Sequence, residues 1–178
     1  MHEDLPLADG VCLCLVVNPP QAQPAHGWQL VRELSPNGPL GRIWSLSRPL
    51  TYRSIDALES SGLIHRDRSD SNSRRHALTP TATGRRAADR WLDEPVNHIR
   101  DLRTGFLIKY ELRRRLGRDP ARFARQQATH LAGAFTALDD PNVDVNDIVS
   151  LWRRHNALAA QRVLAALAAE TEQLTELR

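Results

Sequence analysis

A chain of 178 residues, 41% hydrophobic and 25% charged, has the ordinary composition of a folded protein, enough for one domain or one small domain with a helical extension. The formal net charge is only +3, so the chain as a whole is not strongly basic. No stretch reaches the roughly 18–20 consecutive apolar residues that span a bilayer.

In chain order, Leu7–Val17 reads as a first helix, closed by Asn18, Pro19 and Pro20. Its apolar run Val11–Val17 is short and follows Glu3, Asp4 and Asp9. There is no basic leader and no small-residue cleavage site, so a cytoplasmic protein without a membrane partner is expected. A polar loop leads to a second short helix, Gly27–Leu34, and the turn-rich stretch Ser35–Gly41 then breaks the chain. Ile43–Leu46 reads as a short buried segment. Pro49–Ser61 is a third helix, with Pro in its first turn and Gly62 as its stop. The period then changes: Leu63–Arg68 and Arg74–Leu78 flank the polar tip Ser69–Ser73 as a hairpin. Thr79-Pro80-Thr81 starts a helix through Trp91 and Leu92, which Pro95 ends. The second half is read as all-helical, with one helix over about 97–116, stopped by Gly117, and another from Asp119-Pro120 to about Leu138. A linker over Asp139–Asp144 precedes a long helix from about Val145. There the apolar positions Ile148, Leu151, Trp152, Leu158, Val163, Leu167, Leu174 and Leu177 recur roughly every three or four residues.

The charge is unevenly distributed. Residues 47–90 carry nine Arg against five acidic residues, residues 97–125 nine Arg or Lys against three, and the residues after 125 are net acidic. A basic front with an acidic tail suits a protein that shows one face to a polyanion; a solvated charged surface is the plainer alternative. Lys109 is the single Lys among 24 basic residues. Arg is the better fork for phosphate and guanine edges, although an Arg- and Ala-rich chain also fits a GC-rich genome.

The order helix, helix, helix, hairpin, helix is that of a winged helix-turn-helix, in which the third helix lies in the major groove and the wing reaches phosphates. At about 100° per residue, Thr51, Ser54, Ile55 and Leu58 share one side of the third helix, and Pro49, Tyr52, Arg53 and Asp56 the other. Tyr52 is expected on a phosphate and Arg53 on a base edge or phosphate, with Arg48 beside them. At the wing tip, Asn72, Arg74 and Arg75 suit backbone contacts or minor-groove insertion.

Several short matches occur in order along the chain. His26-Gly27-Trp28 with Leu30 has a Gly-aromatic helix start, and Tyr52-Arg53 through Leu58-Glu59 leads into Gly62-Leu63-Ile64. Leu78-Thr79 is followed by Gly84-Arg85, and Trp91-Leu92 and Pro95 by Arg103, Leu107 and Lys109. Together these resemble the PadR family of bacterial transcriptional regulators over residues 7 to about 110. The MarR family is the alternative, since its wing also ends in a Leu-Thr…Gly exit. The short N-terminal segment and the bulky C-terminal half favour PadR. The chain departs from the PadR pattern at Leu50-Thr51, where a small polar residue and then an aliphatic usually precede the Tyr. Thr51 turns toward the core and Leu50 toward the groove, so Leu50 is expected to contact a thymine methyl.

The expected fold class is mainly α with a small β-hairpin: an N-terminal winged helix-turn-helix over residues 1–95 and a C-terminal helical dimerisation domain over residues 96–178. The resemblance implies a homodimer through the long C-terminal helix, a near-palindromic double-stranded DNA operator, and a repressor more than an activator. It also implies a small aromatic effector, with Phe106, Tyr110, Phe135 and Trp152 as candidate wall residues; at helical spacing such aromatics are more often core. A winged-helix protein-interaction module is the competing functional class. No enzyme is expected: there is no P-loop, no Gly-rich dinucleotide turn and no nucleophile elbow, so no catalytic residue or cofactor is assigned. The seven His are scattered, and no metal site is assigned. Cys12 and Cys14 lie two apart on a helix, point to different faces, and read as small buried hydrophobes, with a redox-sensing thiol as the lesser alternative.

Overall fold

The computed structural model describes residues 5–20, 24–67 and 76–175, with side chains in the last helix described as far as Ala169. It is mainly helical with a small three-stranded antiparallel sheet, and it divides into two compact units, Met1–Glu94 and Pro95–Arg178.

In the first unit, α1 (Leu7–Val17) is apolar all round, and every residue from Gly10 to Val16 is buried. Such a helix must be enclosed by other elements, and α3, α4 and the sheet pack around it. Strand β1 (Ala25–His26) leads directly into α2 (Gly27–Leu34). The Gln29 side chain accepts a hydrogen bond from the His26 N–H at 2.7 Å, which fixes the helix entry. The turns after α2 fold back on its end: the N–H groups of Leu40 and Gly41 both donate to the Glu33 carbonyl at 3.1 Å, and Leu46 N–H donates to Leu34 at 2.9 Å. Ile43–Leu46 is not the continuous buried segment expected from its apolar residues. Leu46 is buried, but Ile43 and Trp44 are half-covered and Ser45 is exposed, because this stretch turns across the surface.

Helix α3 (Arg48–Ser60) carries Pro49 in its first turn and buries Thr51, Ser54, Ile55 and Leu58. It ends as expected at Gly62, whose φ of +67° places it in the left-handed region that costs a side chain. Gly62 N–H donates to Glu59 and Leu63 N–H to Leu58, each at 2.9 Å, the paired bonds of a Schellman stop. Strands β2 (Ile64–Arg66) and β3 (Ala77–Pro80) form the antiparallel hairpin, in the register Ile64↔Pro80 and Arg66↔Leu78. The expected tip, Ser69–Ser73, lies outside the described residues.

Two features of the sheet differ from the expectation. β1 adds a third strand, with Ala25 opposite Leu78. Thr79 and Pro80 belong to β3, so α4 (Ala82–Asp93) starts only after them, capped by the Thr81 hydroxyl accepting from Gly84 N–H at 2.9 Å. Pro80 is tolerated because its missing N–H faces the β1 side, beyond the end of that two-residue strand.

The second unit begins with a 3-10 turn at Ile99–Arg103, followed by α5 (Gly105–Arg115), α6 (Pro120–His130), α7 (Ala132–Thr136) and α8 (Ile148–Thr175). The helix expected over 97–116 is therefore broken, at Thr104 (φ −120°, ψ −71°). Ahead of the 3-10 turn, the buried Gln127 amide binds both backbone groups of Val96, accepting from its N–H at 2.8 Å and donating to its carbonyl at 2.9 Å. The helix expected from Pro120 to Leu138 is likewise interrupted at Leu131 (φ −95°, ψ 6°). α8 starts at Ile148 rather than Val145 because Asp147 caps it, its carboxylate accepting from Ser150 N–H at 3.2 Å. The core of this unit gathers Leu102, Phe106, Phe123, Leu131, Phe135 and Leu164.

Candidate functional site

The outward face of α3 is the candidate site in the first unit. Burial of Thr51, Ser54, Ile55 and Leu58 leaves Arg48, Leu50 and Arg53 exposed, with Leu50 47% accessible. Thr51 is fully buried and its hydroxyl donates to the Ser47 carbonyl at 3.1 Å, while Leu50 points outward. Asn72, Arg74 and Arg75 lie outside the described residues.

Tyr52 is half-buried. Its ring lies against Gly27 so closely that a Cβ there would sit 2.8 Å from the ring carbon Cε1, so glycine at the start of α2 is what lets Tyr52 lie down. The Arg48 guanidinium, one turn earlier on α3, stands 5.8 Å from the Tyr52 ring centroid, within cation–π range.

Sequence reasoning missed Arg66, counting it only toward the basic charge. It turns back from β2 to α3, 2.6 Å from Asp56 and 3.5 Å from Glu59, and so fixes the hairpin to the helix. Sequence reasoning read His26 only as part of the start of α2 and gave His76 no role. His26 Nδ1 lies 3.2 Å from the His76 carbonyl, and His76 Nδ1 3.0 Å from the Asp67 carbonyl. A carbonyl only accepts, so in each pair the ring nitrogen is the donor.

Arg48, Tyr52, Arg66 and His76 are among the residues that line a cleft of about 380 Å³. Its lining is aromatic at Trp28 and Tyr52, aliphatic at the buried Ile55 and Leu78, and cationic or protonatable at Arg48, Arg66 and His76. Nothing in the linear sequence joins residues from four separate stretches, although Gly27-Trp28 and Tyr52 each stood out individually.

In the second unit, Phe106 stacks on Phe123 at 5.4 Å between ring centroids and meets Tyr110 at 5.8 Å. Phe106 and Phe135 are core residues. Trp152 lies outside that cluster and is 70% exposed. The structure therefore brings Phe106 and Tyr110 together but does not add Trp152 to them as a common wall.

Both cysteines are free and buried. Burial, with the Asp9 charge nearby, pushes the Cys12 thiol up to about 12 against a hydrogen bond with Ser54 that works the other way. The thiolate is the reactive form, so Cys12 is held in its unreactive one. Among the described residues no helix is long and apolar enough to cross a membrane, and no group of three His, Cys, Asp or Glu is placed to hold a metal ion. No protein-family model matches the chain, and the curated proteins contain no match to it.

Proposed function

We propose that this chain is a sequence-specific DNA-binding transcriptional regulator, acting as a repressor from a near-palindromic operator and released by a small aromatic molecule. In this reading the first unit is a winged helix-turn-helix with α3 as the reading helix and the β2–β3 hairpin as the wing, and the second unit pairs two chains. One observation carries it: α3 buries one face, Thr51, Ser54, Ile55 and Leu58, and leaves Arg48, Leu50 and Arg53 outward, beside a hairpin that Arg66 ties to the same helix. A helix so presented suits the major groove, with Arg on guanine or phosphate and Leu50 against a thymine methyl. The exposed apolar residues of α8, Ile148, Val149 and Trp152, support pairing across a two-fold axis. That symmetry sets half-sites about 34 Å or a multiple apart.

Fluorescence anisotropy with a duplex from upstream of the chain's own gene tests the reading. Affinity should fall steeply as salt rises, and Arg53→Ala should weaken binding about tenfold. In a binding selection, Leu50→Thr should shift the preferred base at one position of each half-site; an unchanged preference removes the thymine contact. Failure to bind any duplex would favour a protein-interaction module instead.

A further inference from the structure

Two arginines of the first unit stand over aromatic rings of their own helices, each one turn away. On α3 the Arg48 guanidinium lies 5.8 Å from the Tyr52 ring centroid, and on α2 the Arg32 guanidinium lies 5.8 Å from that of Trp28. Residues four apart are neighbours on a helix surface, so each ring backs a charge. Both arginines are exposed, and neither has a carboxylate partner among the described residues. Arg66, by contrast, has its charge matched by Asp56 and Glu59. Trp28 and Tyr52 line the same cleft, so the two stacked cations belong to one side of the unit. Burial of Gln29, Leu30, Glu33 and Leu34 turns Trp28 and Arg32 outward. A basic residue in the last turn of α2 also suits the helix dipole, but the dipole does not explain a Trp one turn before it that is 40% exposed.

We infer that the Trp28–Arg32 pair of α2 is a preformed phosphate hook: Arg32 binds the DNA backbone beside the groove, and Trp28 is the positioning residue that holds it. This rests on the DNA reading of α3. With α3 in the major groove, α2, which packs on it, meets the rim of the groove, where the partner is sugar and phosphate rather than a base edge. An Arg without a carboxylate partner suits phosphate oxygens. A ring already stacked under the guanidinium reduces the rotamer freedom that the side chain loses on binding, so Trp28 adds affinity without touching DNA. The contact carries no sequence information and strengthens binding to any duplex alike.

The test titrates the full chain over a series of salt concentrations, against the duplex from upstream of its own gene and against a scrambled duplex of equal length. Arg32→Gln should weaken binding to both duplexes by the same factor, about tenfold. It should also make the slope of log K on log salt shallower by about 0.9 for each chain bound. Arg85→Gln, which removes the same charge from the exposed side of α4, should leave the slope unchanged. Trp28→Ala should weaken binding about threefold at an unchanged slope, and Trp28→Phe, which keeps a ring beneath the guanidinium, should restore most of that loss. In the Arg32→Gln chain, Trp28→Ala should cost nothing further, since the ring then has no charge to hold; a merely structural role would cost as much in either chain. The phosphate contact is overturned if Arg32→Gln leaves the slope unchanged, or if Arg85→Gln changes it equally. The role of Trp28 is overturned if its loss is the same with and without Arg32. In those cases the unaltered chain still binds its duplex, and the DNA reading stands. If the unaltered chain binds neither duplex even at low salt, the DNA reading fails and the hook with it.

Discussion

Helix α1 in the first unit is buried on all sides from Gly10 to Val16. Helix α8 in the second packs on α6 and buries Ala157 and Leu164, yet leaves Ile148, Val149, Trp152 and Val163 exposed. Ile148 and Trp152 are one turn apart, and Val163 follows Trp152 by three, so the exposed residues share a face. The two units thus have different things left over. The first leaves Trp28 and Leu50 as its exposed large apolar residues, and the outward side of α3 carries the charged Arg48, Arg53 and Asp56 beside Leu50. The second has a sound core and a surplus of apolar surface, which water penalises. The first kind of surplus suits a charged partner and the second an apolar one.

Aromatic residues in the second unit test that contrast most sharply. Phe106 is 1% exposed and stacked on Phe123. Phe106→Ala should cost about 3–5 kcal/mol, lost contacts and cavity together, read as a fall in the urea midpoint. Trp152→Asp should leave the fold of each chain intact and strike association instead. Loss of an interface aromatic at the level of about 2 kcal/mol raises the dimer dissociation constant roughly 30-fold, measured by sedimentation equilibrium. If the unaltered chain sediments at its monomer mass of 20.0 kDa at every concentration, the surplus on α8 has some other use.

How far the sequence announces these features depends on the range of the interaction behind them. α1 and α2 are legible to the residue, because apolar runs and the breakers Pro19, Pro20 and Gly27 act locally. So is the stop at Gly62, which needs only a glycine after an amphipathic run. β1 is not legible: two residues cannot show alternation, and Ala25 becomes a strand only by pairing with Leu78, far along the chain. The hold of the Gln127 amide on Val96 joins residues far apart in the chain, which no local pattern reveals. On α3, the outward Leu50 and inward Thr51 follow from the helical wheel alone. The cleft beside it requires Gly27, Tyr52, Arg66 and His76 to meet through the sheet.

The two units stop a helix with the same device, which permits a matched comparison. Gly117, at φ +64°, follows α5 as Gly62 follows α3, with Arg118 N–H donating to Arg113 at 3.0 Å. Gly62→Ala and Gly117→Ala should each destabilise their own unit by about 1 kcal/mol, the cost of a Cβ in the left-handed region. Asn at either position should cost less, since Asn tolerates that conformation. Amide hydrogen exchange, read separately in α3 and α5, checks that each loss stays in its own unit. If either substitution loosens both helices equally, the units do not unfold independently.

The smallest expected effect is one of pH, and it is confined to the second unit. Hydrogen bonds from Arg114 and, less strongly, Arg115 hold the Glu111 carboxyl below its usual value of 4.5, at N–O distances of 2.8 and 2.9 Å. A carboxylate whose pKa is lowered by folding adds stability above its unfolded pKa and loses it as pH falls through the folded one. The Glu111 contribution is therefore complete at neutral pH and decays below about pH 4.5. Glu111→Gln should speed exchange in α5 modestly at pH 7, because pairs near the surface contribute little. The gap from the unaltered chain should close under acid, and added salt should narrow it at neutral pH. α3, whose stop depends on Gly62 and backbone bonds, should show no change on the same substitution. A gap that persists unchanged well below pH 4.5 would mean that Glu111 acts through packing rather than charge.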